Sequence, residues 1–273
     1  MTEETTAPLK IVVLVKHVPD VQFDRHIDSD TLRLDRSESV LSELDEYAVE
    51  AAVALVEAQG GFAAGHEVIA ATMGGKSASN SVKKALQMGA SSGIHLNDDA
   101  LAGSDTVATS KALAALIEHV GAVDLVVTGM SSTDAETSVV PAQLAERLNF
   151  AQLTHALAIE FDGASRELTI RRDHAERTLS LAATLPAVLS VTDQANEPRY
   201  PNFKAIMAAK KKSITEVSLA DISLSATGVG TAGSRTSVLN ATARPAREAG
   251  TVINDSGQAG IALVDFLAEQ KLI

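Results

Sequence analysis

The 273-residue chain has no cysteine and no tryptophan, and its aromatics amount to six Phe and two Tyr. Without thiols it has no disulfide framework, thiolate-held metal, iron–sulfur cluster or cysteine nucleophile, which fits a reducing compartment. No stretch reaches the roughly 18 uninterrupted apolar residues of a membrane span. Positive charge is also short: 23 Lys and Arg against 35 Asp and Glu leave −12. Nucleic acid and anionic membrane are therefore repelled, except at a basic patch set apart from the acidic bulk. Met1–Pro8 is acidic and Thr-rich, without the basic start or apolar run of a signal peptide, so a soluble, cytoplasmic chain is expected. Against these absences stand 45% hydrophobic and 21% charged residues, enough for one large domain, or a domain with an appendage, around a sizeable core.

The apolar, β-branched run Ile11–Val15 reads as a strand buried on both faces. Residues 24–35 read as an exposed hairpin or ribbon, and Leu41, Leu44, Ala48, Ala51 and Leu55 have helical spacing up to Gly60-Gly61. Strands at 67–72, 93–96 and 125–128 then alternate with helices at 77–88, 105–120 and 137–148. Such alternation predicts βαβ units and a parallel sheet covered on both faces. Past Phe150 the rhythm turns β-rich: 154–161 and 167–173 flank the turn signal Asp162-Gly163, with further strands at 178–183 and, after Pro186, at 187–191. The expected class is α/β, a doubly wound, mostly parallel sheet with β-rich additions and an extended C-terminal arm. Residues 1–222 form the α/β domain, including a loop at 191–213. Residues 223–273 are poor in apolar periodicity until a last helix near Gly260, and form a flexible tail or a partner-wrapping arm.

Ala70–Ser77 (AATMGGKS) satisfies the P-loop pattern if Ala replaces the first Gly; Lys76 and Ser77 would serve phosphate and magnesium, with Asp193 as the companion acid. The alternative is a strand-to-helix turn whose two glycines admit a ligand to the backbone. A second strand-end loop, Gly129–Val140 before Pro141, leads into a helix start that would favour an anion. The seven histidines show no metal-binding spacing, and no serine sits in a GxSxG elbow, so neither a metal nor a hydrolytic centre is nominated. From Arg199 to Lys212 the chain holds five basic residues and no acid, together with Tyr200, Phe203, Ile206 and Met207. Exposed, this is a docking patch with an apolar anchor and a cationic rim; buried, it is a short helix pinned to the core with a lysine cap.

Six segments make the chain resemble the β subunit of electron transfer flavoprotein along nearly its whole length: IVVLVKHVPD at 11–20, DEYAVEAA at 45–52, KKALQMGASSGIHL at 83–96, DLVVTGMSSTD at 124–134, LPAV at 185–188 and NEPRYPNFKAIMAAKKK at 196–212. The last is the most specific and favours docking. The resemblance implies an electron carrier rather than an enzyme: a heterodimer with an α subunit that holds most of the FAD, AMP bound in the β subunit, and a C-terminal arm around α. Electrons would pass from acyl-CoA dehydrogenases to a membrane quinone oxidoreductase.

The resemblance assigns the AMP site to Leu14, Ser42, Glu43, Leu44, Asp45, Met73, Gly129, Ser132, Thr133, Asp134, Ala135, Thr137, Ser138, Val139 and Val140. Val21, Leu44 and Asp173 would lie near FAD. Tyr200, Phe203, Ile206, Met207, Lys210, Lys211 and Lys212 would dock the dehydrogenase, with Phe203 as anchor. Where the family commonly reads NPFDEYA this chain has Ser42–Ala48, SELDEYA, and TAQV becomes Thr137–Val140, TSVV, losing an amide; AMP binding, possible through backbone N–H groups, would be weaker. Three alternatives remain: a bifurcating type with a second FAD and NADH oxidation, a P-loop-like nucleotide hydrolase, and a stand-alone nucleotide-sensing module.

Overall fold

The computed structural model describes residues 7–242, 245–246, 249–250, 252 and 254–273. Met1–Thr6 of the acidic start, and 243–244, 247–248, 251 and 253 of the expected arm, lie outside the described residues.

The chain forms β1 (Lys10–Leu14), β2 (His17–Pro19), β3 (Ser39–Leu41), α1 (Glu43–Ala58), β4 (Glu67–Met73), α2 (Ser79–Met88), β5 (Ser92–Leu96), α3 (Thr106–Val120), β6 (Leu125–Gly129), α4 (Val140–Leu148) and β7 (Ala151–Ala156). Then come β8 (Ala158–Asp162), β9 (Glu167–His174), β10 (Arg177–Thr184), β11 (Ala187–Val191), α5 (Phe203–Ala209), β12 (Ile214–Val217), the single turn α6 (Gly230–Gly233) and α7 (Ala259–Glu269). The main sheet has seven strands in the order β12-β5-β4-β1-β6-β11-β7, and every neighbouring pair is parallel.

Alternation along β1 explains the two layers. Ile11 and Val13 face a core shared with α1 and α2, while Val12 and Leu14 face one shared with α3. Both layers are needed because β6 and β11 are buried at every position. The sheet grows from β1 towards β4 and β5, then reverses to β6, and ligands of open α/β sheets bind beyond the carboxyl ends of the strands at such a reversal.

Several boundaries differ from the sequence reading. The helix expected from Thr137 begins at Val140, because Glu136 (φ 51°) and Ser138 (φ 54°) are left-handed and cannot sit in a right-handed helix. The run 154–161 breaks in two: His155 has φ 60°, β7 stays in the main sheet, and β8 turns away to pair antiparallel with β9, which in turn pairs with β10. This small sheet is tied to the core by Leu168 and Ile170. The ribbon at 24–35 closes through an antiparallel bridge between Ile27 and Leu34.

The chain divides into two compact units, residues 1–239 and 240–273, so the boundary read at 222 falls inside the first. The reason is visible after β12. Val229 is fully buried, Gly230 (φ 59°) lies so close to the Ala100 carbonyl that a side chain would collide with it, and Asp105 accepts hydrogen bonds from the backbone N–H groups of Arg235 and Thr236. In the second unit α7 exposes Ile261, Leu263, Val264 and Phe266. Among the described residues no helix is long and apolar enough to cross a membrane.

Residues 192–213 join β11, beside one edge of the sheet, to β12 at the other. They cross on the outside of α1 and α2, where Asn196 donates to the Tyr47 carbonyl and Lys212 donates to carbonyls at the end of α2.

Candidate functional site

Leu14, Met73 and Gly129 are the last residues of β1, β4 and β6, so three predicted residues meet at the carboxyl end of the sheet. The start of α1 is pulled into the same place. Ser42 donates its N–H to the Lys16 carbonyl at 3.0 Å, and Asp45 accepts from the backbone N–H groups of Lys16, at 2.7 Å, and Gly129. Glycine is required at 129, because a Cβ there would lie 2.7 Å from an Asp45 oxygen and 2.8 Å from the Leu44 carbonyl. Burial pushes the Asp45 carboxyl up to about 7, although both N–H groups and the Lys16 charge favour its ionised form.

Asp134 is the electrostatic centre of the facing loop. Its side chain is almost fully enclosed, and it accepts from Lys16 Nζ at 2.8 Å and from Arg36. Burial alone would raise its pKa, but Lys16, Arg36 and Ser132 hold it down at about 2. Lys16 Nζ also donates to Ser132 Oγ at 3.2 Å. Around this pair the buried hydroxyls of Ser42, Thr72, Ser131 and Thr133 have no protein partner. An unmet buried hydroxyl costs about 1–3 kcal/mol, so a gathering of them at strand ends is a place prepared for polar ligand atoms. The start of α4, at Val139, has no side-chain cap; Pro141 has no N–H, and those of Val140 and Ala142 are left without a side-chain acceptor. Glu43, Ala135, Thr137 and Val139 lie exposed at the rim, with Ser138 and Val140 half-buried.

Sequence reasoning missed Lys16, Arg36 and Thr72, and took in Ser131 only as part of the Gly129–Val140 loop. A lysine directly after a wholly apolar strand was a usable signal. Arg36, just past the ribbon and far from Asp134 along the chain, offered none. The P-loop alternative fails on geometry: β4 runs through Ala70 and Ala71 to Met73, so only Gly74 and Gly75 precede the next helical turn, and Lys76 and Ser77 are exposed. The Gly74 N–H is itself engaged with the Leu96 carbonyl.

Two further predicted groups fall elsewhere. Asp173, on β9, accepts from Thr178 Oγ1 at 2.7 Å and lines a cleft of about 450 Å³ with Leu157, Arg171, Thr178 and Gln194. Arg172 beside it donates to Thr154 Oγ1 and keeps a buried Nε without a partner. Leu44 is half-buried at the start of α1, and Val21 is exposed in the turn between β2 and the 24–35 ribbon. On the crossover Tyr200 is 91% and Phe203 78% exposed; Met207 is also exposed and Ile206 half-buried. Lys210 and Lys211 point to solvent, but Lys212 donates to the carbonyls of Leu86 and Ala90, and desolvation lowers its pKa. The expected rim therefore loses Lys212 to a structural cap on α2.

Fold and geometry together define a doubly wound α/β protein with a polar strand-end site and a separate exposed apolar face. Residues 31–222 match the family model described as electron transfer flavoprotein domain. The chain is similar to the electron transfer flavoprotein subunit beta of Mycobacterium tuberculosis, 40% identical over 96% of this chain and 99% of that protein. The Mycobacterium leprae protein of the same description is 41% identical with the same coverage. A caffeyl-CoA reductase-Etf complex subunit, CarD of Acetobacterium woodii, is 33% identical over 97% of this chain and all of that protein. The chain belongs to the electron transfer flavoprotein family, on its β-subunit side.

Proposed function

We propose that this chain pairs with an electron transfer flavoprotein α subunit, that the heterodimer holds one FAD mainly on α and one AMP at the strand-end site of β, and that it carries electrons from acyl-CoA and related dehydrogenases to a membrane quinone oxidoreductase. The observation that carries the reading is the exposed Tyr200–Phe203–Met207 face: large apolar side chains presented to solvent by an acidic chain of a carrier family.

The residues present fit both groups. For AMP, the orphaned hydroxyls of Ser42, Thr72, Ser131 and Thr133 and the open start of α4 offer hydrogen bonds to ribose and phosphate, with Lys16 and Arg36 supplying positive charge next to Asp134. For FAD, the exposed Asp173 and Gln194 side chains and the orphaned buried Nε of Arg172 offer polar contacts to a ring system held mainly on α. When bound, FAD supplies single-electron uptake and release; this chain orients it, fixes α and presents the docking face. The C-terminal segment 240–273 serves as the arm around α, covering the apolar side chains of α7.

Co-expression with an α subunit, followed by a visible spectrum and acid release of nucleotide, tests the reading. One FAD and one AMP per heterodimer, with flavin reduced by an acyl-CoA dehydrogenase, is the expected result; a heterodimer without flavin, or one that no dehydrogenase reduces, would overturn it. The relative named as part of a caffeyl-CoA reductase complex shows that similar chains also work inside larger reductase assemblies, and we keep as a second reading a bifurcating carrier with a second FAD in the β site and NADH as electron source. Two flavins per heterodimer would establish that one.

A further inference from the structure

We propose that Arg199, clamped by Glu50 and Glu57, is the positioning residue that holds the docking face in its presented form. This rests on the docking reading above. Glu50 and Glu57 lie seven residues, two turns, apart on one stripe of α1. Arg199 closes on both. Its Nε and Nη2 donate to the two oxygens of Glu50 at 2.7 and 2.9 Å, and its Nη1 and Nη2 donate to those of Glu57 at 2.8 Å each. Its backbone N–H also donates to Glu50 at 3.0 Å, so the main chain, not only the side chain, is fixed. The next residue is Tyr200.

The far end is held in the same manner, with Lys212 Nζ donating to the Leu86 and Ala90 carbonyls. Between the two ties, the Asn202 side chain caps α5 by accepting from the Ala205 N–H, and Lys84 Nζ stands 5.4 Å from the centre of the Tyr200 ring. The segment buries little apolar surface of its own: Pro201 and Ala209 are buried while Tyr200, Phe203 and Met207 are not. Apolar packing of Pro201, Ile206 and Ala209 holds it only in part, and charge-assisted hydrogen bonds supply the rest. A segment ordered before it meets a partner is spared the ordering cost on binding, which is how Arg199 acts on docking without touching the dehydrogenase.

The test uses the reconstituted heterodimer. Hydrogen exchange followed by mass spectrometry reads the order of peptides across 196–212, and steady-state kinetics with an acyl-CoA dehydrogenase reads KM and kcat. In Arg199→Gln the exchange across 200–209 should quicken at least about tenfold. If the competent fraction falls to about a tenth, KM rises about tenfold with kcat and FAD content kept. Arg199→Lys, which keeps the charge but not the fork, should recover only part of the order. Should Arg199→Gln fold poorly, Glu57→Gln removes one tie and leaves Glu50 in place, with a rise in KM of about two- to threefold.

Unchanged exchange in Arg199→Gln overturns the proposal. Faster exchange with unchanged KM also overturns it, and Phe203→Ala then separates the two levels. Slowed transfer in Phe203→Ala leaves the docking reading standing and only the role of Arg199 refuted, whereas unchanged transfer brings down both.

Discussion

Asp45 and Asp134 share Lys16, Asp45 through the backbone N–H and Asp134 through the ammonium, yet they are pushed in opposite directions. For Asp45 the folded value of about 7 exceeds the ordinary aspartate value of 3.8. Between those limits the folded chain retains a proton that the unfolded chain has lost, so stability falls as pH rises through the window and levels off above it. Urea titrations of Asp45→Asn should show that slope flattened; an unaltered slope would assign it to other groups. For Asp134 the sign is reversed. Its folded value of about 2 lies below 3.8, so its contribution is complete above about 4 and lost as pH falls towards 2. Because Lys16 and Arg36 are each about 40% exposed, Asp134→Asn should cost only about 1–2 kcal/mol at pH 7, read as a lower urea midpoint. It should also lower the AMP recovered from pure heterodimer; full occupancy would separate this ion pair from nucleotide binding.

At the scale of elements, the parallel layers were legible because their cause is local: β-branched runs such as Ile11–Val15 and helical spacing such as Ala48 to Leu55 depend on neighbours in sequence. The failures have a different cause. The start of α4 is set by the left-handed Glu136 and Ser138, the division of 154–161 by the left-handed His155 and a change of sheet after Ala156, and the continuation of the first unit to Leu239 by contacts with Gly103, Asp105 and Ala100, more than a hundred residues back in the chain. Asp105 illustrates the last case, since it caps α3 through the Ala108 N–H and also anchors 235–236. Asp105→Ala should remove about 1–2 kcal/mol of cap energy and make the chain near 234–239 the first point of proteolytic cleavage; an unchanged cleavage pattern would show that the anchor is redundant. Gly129→Ala forces the start of α1 away from β6, and AMP occupancy should fall with it.

Across the whole molecule, the −12 conceals how the cations are deployed. Of the five in 199–212, Arg199 and Lys212 are engaged within the chain, leaving Lys204, Lys210 and Lys211 exposed around Phe203. The sequence presents all five alike, because the acids that engage Arg199 are more than 140 residues away. Phe203→Ala should therefore slow reduction by the dehydrogenase about tenfold or more, as loss of a central apolar anchor does, while leaving FAD content unchanged. Raising ionic strength should add a smaller rise in KM, since only the three free lysines feel a partner's charge. A KM indifferent to salt would rule out the cationic rim.

The crossover from β11 to β12 has a consequence for biosynthesis. It spans five strand spacings, roughly 24 Å, and its two ties lie on helices that pack against different parts of that span. The ties come into register only when α1 and α2 are both in place, and the strap follows both helices in the chain. A chain whose two helices have not yet packed therefore lacks both ties. If the strap docks a dehydrogenase as proposed, its shape thus acts as a certificate that this helix layer has folded.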